Sequence, residues 1–229
     1  MATASRRITR KDLRRPDWFH VNSERALEYF NRHQGLVFAA LAAVLVIAAI
    51  IWGWQLFKDR QNMAASQEFG RAMTLYQGEK YREAIPVLET AAGYRWSRYA
   101  VVPRIYLANS HLATNDLDKA VNEAQRALAG TRPNGFYRQI ALITLATAEE
   151  QKQDCKTAVQ HYAEAQNISG ALQGRAMLGK ARCAEALGDT ATAIAAYKDY
   201  LKDNAGSPLA VKLAELEAKS SQAAVPPAK

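Results

Sequence analysis

Two cysteines, Cys155 and Cys183, are the only thiols in the chain, 28 residues apart and each within a stretch of helical pattern. Such a pair can meet and oxidise to a disulfide where the compartment permits it, or it can sit buried as two small hydrophobes. Four histidines, His20, His33, His111 and His161, fall in different elements, and no pair has the i, i+4 spacing of a helical zinc site. No metal ligand is assigned. The segment Gly174 to Ala181 comes within one residue of a phosphate-binding loop, but Ala181 stands where a Ser or Thr would hold magnesium. The same segment carries a helical pattern instead of following a strand, so nucleotide binding is not expected. There is no Gly-x-Ser-x-Gly elbow and no pair of carboxylates set apart from solvated helix faces. No catalytic residue and no cofactor is assigned, and the chain is read as not an enzyme.

The elements around these residues are of two kinds. From Gln34 to Phe57 no residue is charged, and Leu36–Phe57 is a run of 22 apolar or uncharged residues. As a helix it is long enough for a hydrocarbon core of about 30 Å. It is longer and lies farther from the N-terminus than the apolar region of a cleaved leader, and it ends in Trp52, Trp54 and Phe57 where small residues would mark a cleavage site. Those aromatics fit an interfacial belt. Residues 1–33 carry eight Lys or Arg against four acids, half of the net charge of +8. Basic density beside an apolar run points to anionic headgroups more than to nucleic acid, for which no reading motif is present. Lys58 and Arg60 are the only basic residues in the dozen after the run. The imbalance predicts a cytoplasmic N-terminus and an extracytoplasmic, or periplasmic, C-terminal part.

Before the run, Asn22 or Ser23 is placed to cap a helix with Ala26, Leu27 and Phe30 on one side, leading into the membrane. The stretch from Pro16 to Phe19 is expected to interrupt structure, and residues 1–15 to be disordered. The expected divisions are 1–21 as a basic cytoplasmic tail, 22–35 as a juxtamembrane amphipathic helix, 36–57 as the transmembrane helix, 58–219 as a repeat domain and 220–229 as a disordered tail.

The repeat domain shows itself by self-similarity. Ala84, Ala120, Ala158 and Ala193 follow one another at 36, 38 and 35 residues, each preceded by twelve residues by another Ala: Ala72, Ala108, Ala146 and Ala181. Gly78, Asn115 with Asp116, Asp154, and Gly188 with Asp189 supply turn or cap residues between the two positions. Four residues after the common Ala come Leu88, Ala124, Tyr162 and Tyr197; seven after it come Ala91, Ala127 and Ala165, with Tyr200 the exception. The spacing i, i+4, i+7 lines one helix face, so each unit is an antiparallel helix pair with a buried seam. The pattern resembles the tetratricopeptide repeat, whose period is near 34. It departs from it in having Glu68, Arg104, Leu142 and Met177 in place of the early aromatic, and in the displacement of the closing Pro to Pro133 and Pro208. The expected fold is all-α: one N-terminal transmembrane helix, then a superhelix of about four antiparallel helix pairs, then a C-terminal capping helix carrying Leu209, Leu213 and Leu216.

In such a stack the first helix of each pair lines the concave side. Projection from the register places Phe69, Met73, Tyr76, Ile105, Asn109, Ile143, Thr147, Glu150, Arg175 and Arg182 there as a protein-binding groove, apolar at one end and charged at the other. The alternative for each is ordinary packing between pairs. Cys155 would open the second helix of the third pair and Cys183 would lie late in the first helix of the fourth, regions that a stack can bring together.

The whole arrangement, from the basic tail through the Trp-rich end of the span to the divergent repeats, resembles the YfgM-like ancillary subunit family of the Sec translocon. The likeness runs from about Ser23 to Asp203 and rests on architecture more than on any residue set. It implies a noncatalytic adaptor anchored in the bacterial inner membrane, with membrane lipid and protein partners: Sec channel subunits, periplasmic chaperones or exported polypeptides. A scaffold of another envelope complex, in cell division, cell-wall synthesis or a respiratory assembly, would share every feature read from the residues.

Overall fold

The computed structural model describes residues 18–223, and among them every regular element is a helix. Expectations for residues 1–17 and 224–229 lie outside the described residues. The chain divides into two units, 1–57 and 58–229.

The first unit contains α1, Trp18–Arg32, and the opening part of α2, Gln34–Gln77. Helix α1 begins at Trp18, four residues ahead of the expected Asn22 cap, so Trp18 and Phe19 are helical. At His33 the chain bends, yet the i to i−4 ladder persists: the His33 N–H donates to the Tyr29 carbonyl at 3.0 Å and the Val37 N–H to the His33 carbonyl at 3.0 Å. The apolar part of α2 is the one helix among the described residues long and apolar enough to cross a membrane. Leu45 is 70% exposed and Trp52 69%. A run of that length with no buried side chain on any side is the reverse of a core helix, which hides at least one face. It is consistent with a membrane anchor.

The second unit holds the last part of α2, then α3 (Tyr81–Gly93), α4 (Val102–Ala113), α5 (Leu117–Ala129), α6 (Phe136–Gln151), α7 (Cys155–Gln166), α8 (Gln173–Ala186), α9 (Thr190–Asp203) and α10 (Leu209–Ala223). From α3 onward each helix packs on its sequence neighbours, and α4 also meets α6, as α6 meets α8. First helices therefore lie beside first helices, which is how helix pairs stack into a superhelix. The repeated alanines explain the fit. Ala72, Ala108, Ala146 and Ala181, and likewise Ala84, Ala120, Ala158 and Ala193, have no exposed surface. A side chain of one carbon lets the two backbones approach, and larger residues at these positions would hold the pairs apart.

The turn inside each pair is built the same way four times. Five residues before the common Ala, Glu79, Asn115, Gln153 and Gly188 adopt left-handed φ values of 57°, 62°, 64° and 75°. The next N–H then reaches back five residues, from Lys80 to Leu75, Asp116 to His111, Asp154 to Glu149 and Asp189 to Ala184, closing the first helix of the pair. Asp154 and Asp189 also accept the backbone N–H of Thr157 at 3.2 Å and of Thr192 at 3.0 Å, capping α7 and α9. At the far end Leu209, Leu213 and Leu216 of α10 pack on Ala196 and Tyr197. Helix α10 continues to Ala223, past the expected end at Lys219, and the Ser220 and Ser221 hydroxyls donate back to the Glu217 carbonyl.

Candidate functional site

The first helices of the second unit bring together part of the projected groove. At one end Phe69 and Tyr76 of α2 enclose Tyr106 of α4: the Tyr76 and Tyr106 rings meet edge to face at 4.9 Å, and Phe69 and Tyr106 at 5.5 Å. Tyr81 adds a second edge contact to Tyr76 at 5.2 Å. All four rings are half-buried. Tyr106 and Tyr81 fall outside the register used for projection; their signal is the local density of aromatics. Burial, reinforced by Tyr81 and Tyr106, raises the Tyr76 phenol above its ordinary value, and the positive charge of Arg175 opposes that rise.

Ile105 and Ile143 do not face this hollow. They are 4% and 3% exposed, Ile105 packed with Ala127 and Ala141, Ile143 in a cluster with Tyr162 of α7 and with Ala176 and Cys183 of α8. Both sit three residues before the first-helix Ala, where a side chain leans toward the next pair and forms the contact between pairs. One residue after that Ala, Met73, Asn109 and Thr147 are half-buried and Arg182 exposed, so this register keeps access to the open side.

The most polar part of the site spans three helices. Arg182 of α8 donates from Nε and Nη2 to the two Glu150 oxygens of α6, at 2.8 and 2.9 Å. Tyr162 of α7 donates its hydroxyl to Glu150 at 2.6 Å, and Thr147 lies 3.1 Å from the same hydroxyl. Burial alone would raise the Glu150 carboxyl, but the hydrogen bonds from Arg182 and Tyr162 outweigh it and hold the group below the usual range. Burial and the hydrogen bond to Glu150 push the Tyr162 phenol well up, and Arg182 is kept protonated by its hydrogen bonds to Glu150. A carboxylate that already accepts three hydrogen bonds is a poor base and a poor nucleophile. The arrangement instead fixes the angle between pairs three and four. The next pair repeats it with a lysine: Tyr197 donates to Glu185, and Lys212 of α10 binds Glu185 at 2.8 Å while lying 5.5 Å over the Tyr197 ring. The repeat of Glu and Tyr at 35 residues, Glu150 with Tyr162 and Glu185 with Tyr197, is a sequence signal that the concave projection passed over.

Cys155 and Cys183 are buried with their sulfurs 2.9 Å apart, joining α7 to α8. Burial pushes the Cys183 thiol up, which argues against a reactive thiolate. The near-phosphate loop is part of α8, and Gly179 within it faces the Tyr162 ring and no ligand space.

Among the described histidines, His161 donates from Nδ1 to the Glu149 carboxylate at 2.7 Å, with Glu149 only 5% exposed. That hydrogen bond, more than the charges of Glu149, Glu164 and Asp154, raises the His161 pKa above its ordinary value, burial opposing. A raised histidine stabilises the fold fully below the unfolded value near 6.5, and the gain is lost as pH rises through the folded value. The midpoint of thermal unfolding should therefore fall as pH rises from about 6 to 8, and His161→Gln should flatten that fall. A slope unchanged by the substitution would remove this pair from the account.

A model of the tetratricopeptide repeat-like domain family matches residues 28–218. Two crystal structures of kinesin light chain TPR-like repeats from Podosopora anserina, the second a single-residue variant of the first, superimpose with a TM-score of 0.57. Each is 17% identical and covers 71% of this chain and 87% of its own. At that identity the likeness concerns the fold. No curated protein matches the sequence.

Proposed function

Because the chain belongs to the tetratricopeptide repeat-like domain family, we propose that it is a noncatalytic adaptor, anchored by the apolar part of α2, whose repeat stack holds protein partners. What supports this reading is the face lined by the first helices: half-buried tyrosines at one end, Arg175 and Arg182 at the other, and Glu150, a carboxylate that already accepts three hydrogen bonds. Such a surface offers aromatic anchors and charge without free chemistry, the composition of a protein-contact site.

The finer reading is a YfgM-like accessory of the Sec translocon in a bacterial inner membrane, with the N-terminus cytoplasmic and the stack periplasmic. It is supported by the basic density before the span and by the likeness of the whole arrangement. The partners are then Sec channel subunits, periplasmic chaperones or newly exported polypeptides. Protease accessibility in spheroplasts and co-purification from mildly solubilised membranes test it together. Digestion of the stack from outside and recovery of Sec subunits are expected. Protection of the stack, or steady recovery of division or respiratory proteins, overturns the Sec assignment.

In that oxidising location Cys155 and Cys183 are proposed to form a disulfide, each thiol losing a proton and the pair passing two electrons to a disulfide oxidant. Closing 28 residues of chain would stabilise the fold by about 3–4 kcal/mol on the chain-entropy account. Non-reducing peptide mapping of protein from native membranes should recover the two segments joined. Free alkylation of both thiols after unfolding would sink the idea.

A further inference from the structure

Two of the connections between pairs differ in chemistry from the turns within pairs. The α3–α4 connection runs through Tyr94, Arg95, Trp96, Arg98 and Tyr99, with Trp96 58% exposed and the Arg98 guanidinium 5.2 Å over the Tyr99 ring. The α5–α6 connection carries Arg132 and leads into Phe136 and Tyr137, which are 58% and 50% exposed. The two lie side by side: a Cβ placed on Gly130 would come 3.0 Å from Val101, and Arg98, Val101, Arg132, Phe136 and Arg138 border one cavity. No Asp or Glu occurs between Glu89 and Asp116, or between Glu123 and Glu149. Arg104 and Arg126 are engaged by Glu123, and Arg138 by Glu164, which leaves the surface charge to Arg95, Arg98 and Arg132. The turns within pairs lie at the opposite ends of the antiparallel helices and are of mixed charge, Glu79, Asp116, Asp118, Asp154 and Asp189 alternating with Lys80, Arg82, Lys119, Lys152 and Lys156. The α3–α4 and α5–α6 connections thus make one end of the first pairs basic and aromatic, while the turns at the other end mix acids with lysines.

The basic end is also where the chain enters the stack. Asn62 accepts the Ser97 hydroxyl at 3.1 Å and the Arg98 N–H at 2.9 Å, tying the α3–α4 connection to α2. Five residues separate Asn62 from Phe57, the last of the apolar run, and five residues span at most about 18 Å in any conformation. Given the anchor reading on which this rests, the surface cannot be far from headgroups. We propose that the α3–α4 and α5–α6 connections form a face that rests on an anionic lipid surface, with Arg95, Arg98 and Arg132 at the phosphates and Trp96, Phe136 and Tyr137 at the interface. Trp and Tyr favour that depth, and arginines near a negative leaflet gain from its potential. A nucleic acid would be met by the same arginines, but nothing in the covalent chain would hold it within reach.

The test uses the full chain in vesicles of phosphatidylglycerol with phosphatidylcholine, or of phosphatidylcholine alone. A photo-reactive benzoylphenylalanine replaces Ile47 in the apolar run, Trp96 or Phe136 on the face, or Leu187 in the α8–α9 turn, which is 52% exposed. Ile47 should capture lipid in both vesicles and Leu187 in neither. Trp96 and Phe136 should capture lipid in the anionic vesicles, several-fold less in the neutral ones, and several-fold less when Arg95, Arg98 and Arg132 are changed to Gln. Capture at Ile47 with no more at Trp96 and Phe136 than at Leu187 overturns the face while the anchor stands. Equal capture in both vesicles also overturns it, since recognition of charge would be absent. No capture at Ile47 removes the anchor reading, and the lipid face falls with it.

Discussion

Gly179→Ala should destabilise the repeat stack by about 3 kcal/mol, although alanine is ordinarily the better helix former. A Cβ at this position in α8 would lie 2.3 to 2.7 Å from three atoms of the Tyr162 ring. The ring cannot step aside: Tyr162 is 1% exposed, and its hydroxyl is held by Glu150 at 2.6 Å and Thr147 at 3.1 Å. Overpacking of a filled core costs about 1–3 kcal/mol and more where neighbours are fixed. Against an exposed helix site the same change would gain about 1 kcal/mol. The two cases differ in sign, which chemical denaturation resolves. The cost should vanish with Tyr162→Ala in the background, because the space the methyl needs is then empty. A stabilised Gly179→Ala protein would mean that α7 and α8 are not packed as described.

Val46→Arg with Ile50→Arg should move the protein out of the membrane fraction. Each arginine near the middle of a spanning helix costs about 2.5–3.5 kcal/mol for insertion, so the pair costs about 6 kcal/mol. In water the same residues would be harmless, since Val46 is 57% and Ile50 65% exposed in the helix. Val211→Arg, on the equally exposed Val211 of α10, is the control and should leave the distribution unchanged. Carbonate extraction and sedimentation of membranes read the result. A doubly substituted protein that stays in the pellet would show that something other than this helix holds it there.

The helix pairs were legible in the sequence because close approach of two helices admits few residues, and alanine at Ala72, Ala108, Ala146 and Ala181 marks each approach. The turns were partly legible. Gly188 and Asn115 suit a left-handed backbone, whereas Glu79 and Gln153 take it only because the closing hydrogen bonds of the turn require it. The groove was the least legible part. Ile105 and Ile143 were projected onto it, but the neighbouring pair packs over them, and the twist between pairs cannot be read from one pair's periodicity. Glu150 and Arg182 both lie in the projected register, yet nothing in the sequence pairs them: 32 residues separate them, and only the stacking of α6 on α8 brings them together. The basic, aromatic character of two connections, visible along the chain as two acid-free stretches, has meaning only once the antiparallel packing brings those connections to one end.

The central claim is that the concave face holds protein. Photo-crosslinking in living cells from Asn109 and Arg175, against Gln160 exposed on α7, tests it most directly. The account predicts that Asn109 and Arg175 capture the same discrete protein partners and that Gln160 does not. Capture from Gln160 alone, or none from the two concave positions, would contradict it.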